Sequence, residues 1–237
     1  MKTILITGIT SELLAPFVEL VLKMEDLRVI GTFNKTVPAF RKENIELHQV
    51  DMNIESEIDN FLSTLKDRKI DYFLQGHGDC ASNEHFENIK TEDIYSDIRI
   101  NLISLIKILQ TIVVNMKKNN FGRILLISTA SASHGGGINT FAYGLSKLAT
   151  EYLVKSLAKE YTKDNVLINA IAPGFFNTKF HFQRANKTKY SFKERVKFVR
   201  IGRPGEPVEL ISMIKSLLIE NSFISSEIIK MDGADFV

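Results

Sequence analysis

The sequence has one cysteine, Cys80, among 237 residues, so no intramolecular disulfide can form and a reducing, cytoplasmic setting is expected. It has no apolar run near the ~20 residues that a membrane-spanning helix needs. Glu12 interrupts the N-terminal apolar stretch before a signal-peptide core is complete, so secretion is not expected. Neither sign of charge is in clear excess: 30 Lys and Arg face 28 Asp and Glu. The net +2 is too small to announce a nucleic-acid binder. Repeats, low-complexity tracts and linkers are missing too, which favours a single domain over residues 1–237. What is present, 44% apolar and 24% charged residues, excludes a disordered or collagen-like chain and can bury a sizeable core.

Seven short runs, at 3–7, 28–33, 46–50, 70–74, 123–128, 166–171 and 228–231, are apolar and β-branched with little alternation. That is the pattern of strands covered on both faces. Between them, 13–24, 54–65, 94–116, 140–161 and 208–219 place apolar residues three and four apart, as amphipathic helices do. Strand and helix alternating in this way predict an α/β fold with a doubly wound, seven-stranded parallel sheet and helices on both faces. A TIM barrel satisfies the same count approximately, and the motifs decide against it.

The first strand runs into Thr7-Gly8-Ile9-Thr10-Ser11 and then a helix. A glycine there lets backbone approach a pyrophosphate beside the positive end of the helix. Tyr143 and Lys147 are four apart on a helix, hence on one face. A neighbouring ammonium favours phenolate and draws the Tyr pKa from about 10 towards the range of a working acid or base. Before them come Gly122-Arg123-Ile124-Leu125-Leu126-Ile127-Ser128-Thr129 and a Gly-rich loop. In this order and over the whole chain, the sequence resembles the short-chain dehydrogenase/reductase family, NAD(P)-dependent oxidoreductases on a Rossmann fold.

The resemblance implies a catalytic set of Tyr143, Lys147, Thr129 and Asn101, the last in Arg99-Ile100-Asn101-Leu102, where the family's Asn holds a water in the proton relay. It implies a cofactor site of Gly8, Thr10, Ser11 and Leu13 at the first turn, Asn34 and Lys35 after the second strand, and Asp51 and Met52 beside adenine. Gly76, Tyr143 and Lys147 belong to it, with Pro173, Gly174, Phe176 and Thr178 from Asn169-x-x-x-Pro173-Gly174-x-x-x-Thr178. Gly202-Arg203-Pro204-Gly205-Glu206-Pro207 and Met231-Asp232-Gly233 match the family's closing segments. Family members of this kind form homodimers or homotetramers through two long helices, here 94–116 and 140–161. No metal is expected, because His77, Cys80 and His85 match no common ligand spacing.

The departures are specific. The second and third glycines of the family's cofactor turn are Glu12 and Leu14, which crowds the pyrophosphate approach and adds a negative charge there. The family's Asn-Asn-Ala-Gly reads Gln75-Gly76-His77-Gly78. Thr129 lies 14 residues before Tyr143 where the family's Ser is usually 13 before, so Ser131 is the alternative hydroxyl. Residues 32–36 contain Lys35 and no acid. A carboxylate there would bond a 2′-hydroxyl and repel a 2′-phosphate, so NADP(H) is favoured over NAD(H).

Charge is segregated. Residues 177–203 hold Lys179, Arg184, Lys187, Lys189, Lys193, Arg195, Lys197, Arg200 and Arg203 against Glu194 alone, about +8, and the remainder is about −6. By resemblance, 175–203 is the substrate-covering lid. Its basic character suits an anionic or carrier-linked substrate, and Phe175, Phe176, Phe180, Phe182, Tyr190, Phe192 and Phe198 could line a pocket. A solvated basic face with an ordinary apolar side is the plainer alternative. No nucleic-acid or membrane partner is expected.

Overall fold

A computed structural model describes residues 1–40, 42–81, 83–185 and 191–235. Seven strands form one sheet: β1 (Lys2–Thr7), β2 (Leu27–Phe33), β3 (Ile45–Gln49), β4 (Tyr72–Gln75), β5 (Gly122–Ile127), β6 (Val166–Pro173) and β7 (Ile228–Met231). Their order is β3-β2-β1-β4-β5-β6-β7 and every neighbouring pair is parallel. The winding reverses between β1 and β4, and a crevice opens at the carboxyl ends of strands at such a point.

Alternate residues of each strand feed opposite cores, which is why the strands read as continuous apolar runs. On one face Leu5, Ile30, Phe73, Ile124 and Ile168 pack under α2 (Glu55–Leu65), α4 (Ser104–Lys118) and α6 (Phe141–Tyr161). On the other, Ile4, Ile6, Val29, Leu74 and Leu125 meet α1 (Ala15–Val21) and the last helical segment. Among the described residues, no helix is long and apolar enough to cross a membrane.

Strand boundaries fall within two residues of the sequence expectation. The helices differ more. The first begins at Ala15 rather than residue 13, because Pro16 fits only the first turn of a helix. The helix expected at 94–116 is α3 (Thr91–Ile98), a π-helical turn Arg99–Ile103, and α4. The one expected at 208–219 is a 3-10 turn Pro207–Leu210, α9 (Ile211–Ile214) and a second π-helical turn Lys215–Ile219. Among the described residues there are also three short α-helices, α5 (Ser131–His134), α7 (Lys179–Ala185) and α8 (Phe192–Val196), and 3-10 turns at Phe86–Asn88 and Thr162–Asp164. Lys187, Lys189 and Tyr190 of the expected lid lie outside the described residues.

Candidate active site

A cavity of about 1050 Å³ lies over the carboxyl ends of the strands. Its wall contains Gly8, Thr10, Ser11 and Leu13 from the first turn, Asn34 and Lys35 after β2, and Asp51 and Met52 after β3. Gly76, Thr129, Ser131, Tyr143, Lys147, Pro173, Gly174 and Thr178 complete the set from later elements. The structure therefore gathers into one wall residues drawn from most of the chain. Phe176 stands apart from the expected site. It is buried in the core between sheet and last helix, its ring against Gly205, and Phe175 faces the cavity instead. The bend that follows β6 sends the two side chains apart, Phe175 to the cavity and Phe176 to the core.

The first turn is a cradle that side chains would fill. Gly8 has φ +61°, and a Cβ there would lie 2.6 Å from the His77 amide nitrogen. Its own N–H donates to Thr32 Oγ1 at 3.2 Å. Leu14, in place of a glycine, does not crowd this approach; its side chain is buried against Gly76, where a Cβ would come within 2.4 Å of Leu14 Cδ1. The glycine lost from one motif is thus matched by a glycine gained in the other. Glu12 reaches sideways, accepting from the Lys179 backbone N–H at 2.7 Å and pairing with Lys179 Nζ at 2.9 Å. Burial alone would raise its pKa, but those hydrogen bonds and the Lys179 charge outweigh it and the net shift is downward. The cradle, with no side chain at Gly8 or Gly76 to fill it, fits a dinucleotide; Glu12 is the one discordant group.

Helix α6 carries Tyr143 and Lys147 on one face. Lys147 is buried, donates to the Ile127 carbonyl at 2.8 Å, and has its Nζ 5.9 Å from the Tyr143 ring centroid. Burial lowers its pKa to about 8. Asn101 is wholly buried in the π-helical turn behind the wall. Its Nδ2 donates to the Asp79 carbonyl at 2.8 Å and its Oδ1 accepts from the Asp79 N–H at 3.0 Å. A Cβ on Gly78 would sit 3.0 Å from Asn101 Oδ1 and 3.2 Å from Lys147 Nζ, so that glycine is what lets the two groups converge. Thr129 Oγ1 accepts from the Ser131 N–H at 3.3 Å, and both hydroxyl-bearing residues line the cavity.

Three supporting residues escaped sequence reasoning. Gln75 accepts from the Ile127 N–H at 2.9 Å and donates to the His77 carbonyl, tying β4 to the end of β5 that holds Lys147. His77 is enclosed between Thr7 Oγ1 at 2.7 Å and Ser104 Oγ at 3.0 Å. Ser128 donates to Glu151 at 2.7 Å, one turn beyond Lys147. Each pairs residues far apart in sequence, and only the departure from Asn-Asn-Ala-Gly hinted at the first two.

The described part of the segment expected to be a lid is aromatic and partly neutralised. Phe175, Phe180 and Phe198 line the cavity, and Phe182 stacks on Phe192 at 4.0 Å. Of its cations, Lys179 pairs with Glu12, Arg195 with buried Asp235, and Arg203 with Glu209. Lys193, Lys197 and Arg200 are exposed and, among the described residues, make no ion pair. Among the described residues no metal-binding cluster of three or more His, Cys, Asp or Glu occurs.

Comparison with known proteins gives one family. The profile described as enoyl-(acyl carrier protein) reductase matches residues 26–233. The chain is 28% identical to a 3-oxoacyl-[acyl-carrier-protein] reductase of Aquifex aeolicus, over 88% of this chain and 86% of that one. It is 30% identical to carbonyl reductase family member 4 of Xenopus laevis, over 77% and 75%. A crystal structure of a short chain dehydrogenase family protein from Francisella tularensis superposes with a TM-score of 0.86 at 25% identity, covering 98% of each chain.

Proposed function

The chain belongs to the short-chain dehydrogenase/reductase family of NAD(P)-dependent oxidoreductases, and on that premise we propose that it interconverts a carbonyl and an alcohol using NADP(H), on an anionic or carrier-linked substrate. The observation that carries the reading is the convergence of Tyr143, Lys147 and Thr129 on one cavity with Asn101 immediately behind. When bound, the nicotinamide dinucleotide supplies or accepts the hydride. Gly8, Thr10, Ser11, Leu13 and Gly76 would hold it at the first turn, Asn34, Lys35, Asp51 and Met52 at its adenosine end, and Pro173, Gly174 and Thr178 near the nicotinamide.

Tyr143 donates its phenolic proton to the alkoxide that develops in reduction and removes it in oxidation. The Lys147 ammonium stabilises phenolate at the Tyr143 oxygen, and the Ile127 carbonyl orients that ammonium. Thr129 aims the substrate carbonyl through its hydroxyl, with Ser131 two residues on as the alternative. The Asn101 side chain is committed to Asp79 and keeps the π-helical turn in place beside Lys147.

Lys35 is exposed in the cavity wall with no acid from 32 to 36, which supports NADP(H). Lys35→Glu is expected to weaken NADPH about tenfold more than NADH in fluorescence titration; equal losses contradict the preference. The acyl-carrier relatives and the exposed Lys193, Lys197 and Arg200 support an anionic substrate. Leu145, Leu148 and Tyr152, exposed on α6, support pairing of long helices in a homodimer or homotetramer. Single Cys80 supports a cytoplasmic setting. Glu12 favours a second reading, a binding or regulatory protein on the same fold with weakened cofactor affinity. Failure to bind either coenzyme at millimolar concentration would select it.

A further inference from the structure

We infer that Lys179 is a ligand for the diphosphate of the dinucleotide and that Glu12 is the internal anion which Lys179 gives up when the dinucleotide binds. This rests on the coenzyme reading above. Glu12 lies in the strand–turn–helix segment that approaches a diphosphate in this fold, and Lys179 opens the lid helix α7. The two meet across 167 residues of sequence, and both line the cavity beside Gly8, Thr10 and Ser11.

The carboxylate mimics part of what a diphosphate offers: oxygens for the Lys179 ammonium and negative charge at the turn. Left in place beside a diphosphate, it would repel it. Moved aside, it releases a cation that binds phosphate well as a point charge. The pair suits exchange because it is open to solvent, with the two side chains 81% and 42% exposed. Exposed pairs are weak. At the other end of the lid, Arg195 and Asp235 form a bidentate pair with Asp235 only 2% exposed. The lid is therefore anchored at α8 and exchangeable at α7.

The test compares the wild type, Glu12→Gln, Lys179→Met and the double variant. NADPH and NADH are titrated by fluorescence, ADP and adenosine by calorimetry. Glu12→Gln keeps size and removes charge; it is expected to tighten NADPH, NADH and ADP alike, by about tenfold, and to leave adenosine, which lacks phosphate, unchanged. Lys179→Met is expected to weaken the first three by a similar factor and to cancel the gain in the double variant. A wild type that binds no coenzyme beside a Glu12→Gln protein that does also supports the inference. Unchanged or weaker ADP binding in Glu12→Gln overturns it, as does an equal shift for adenosine. Coenzyme binding by the wild type with no change in Glu12→Gln overturns this inference alone. No binding of coenzyme by either protein overturns the coenzyme reading with it.

Discussion

His77 is enclosed between Thr7 and Ser104, and burial together with the Lys147 charge pulls its pKa from 6.5 to about 3. Ser104 donates its own proton to the Ile100 carbonyl, so it faces His77 Nε2 as an acceptor. The hydrogen-bond pattern therefore assigns the ring proton to Nε2, and Nδ1 accepts from the Thr7 hydroxyl. The native state holds this imidazole neutral, while the unfolded chain protonates it below pH 6.5. Because the folded pKa lies below the unfolded one, stability falls as pH drops from 6.5 towards 3, by about 1.4 kcal/mol per pH unit from this group. His77→Gln removes the titration. Chemical denaturation between pH 7 and 4 is expected to show a shallower loss in that variant; parallel slopes would contradict the assignment. Beyond the departure at residues 75–78, the local sequence does not announce this residue as structural, since its partners are 70 and 27 positions away.

The first turn, β4 and the π-helical turn work as a set of elements rather than as motifs. Leu14 occupies space that Gly76 vacates, so the two departures from the family pattern are one packing exchange. Gly76→Ala is expected to cost about 1–3 kcal/mol, since its Cβ meets both Leu14 Cδ1 and the Thr7 carbonyl. With Leu14→Ala the first clash disappears and the second stays. The double variant should therefore be more stable than the sum of the single losses, by about 1 kcal/mol in a double-mutant cycle. Strict additivity would show that the residues are independent. The strands were legible because two-sided burial imposes apolar, β-branched runs, and Tyr143 with Lys147 because helix period dictates their spacing. The π-helical turn at Arg99–Ile103 was not, because its neighbours keep the apolar period of an unbroken helix. Phe176 was misplaced for a different reason: adjacent phenylalanines look alike until the backbone sets which faces inward.

At the scale of the molecule, a parallel sheet that reverses its winding between β1 and β4 puts the first turn, the Tyr143–Lys147 pair and the start of α7 on one cavity. The near-neutral whole carries a basic segment at 177–203, although Glu12, Asp235 and Glu209 neutralise three of its cations. The sequence showed the charge but not these partners, which come from distant segments. On the proposed function the exposed Lys193, Lys197 and Arg200 attract an anionic substrate, so KM for such a substrate should rise several-fold between about 50 and 500 mM salt. A flat KM would assign the lid charge to solvation alone. Tyr143 as the proton donor at a working coenzyme site is tested by Tyr143→Phe. NADPH oxidation is followed with a 3-oxoacyl thioester while coenzyme binding is titrated on the same protein. Turnover is expected to fall at least about 100-fold, with the NADPH dissociation constant changed less than about threefold. Near-wild-type turnover in Tyr143→Phe would contradict it.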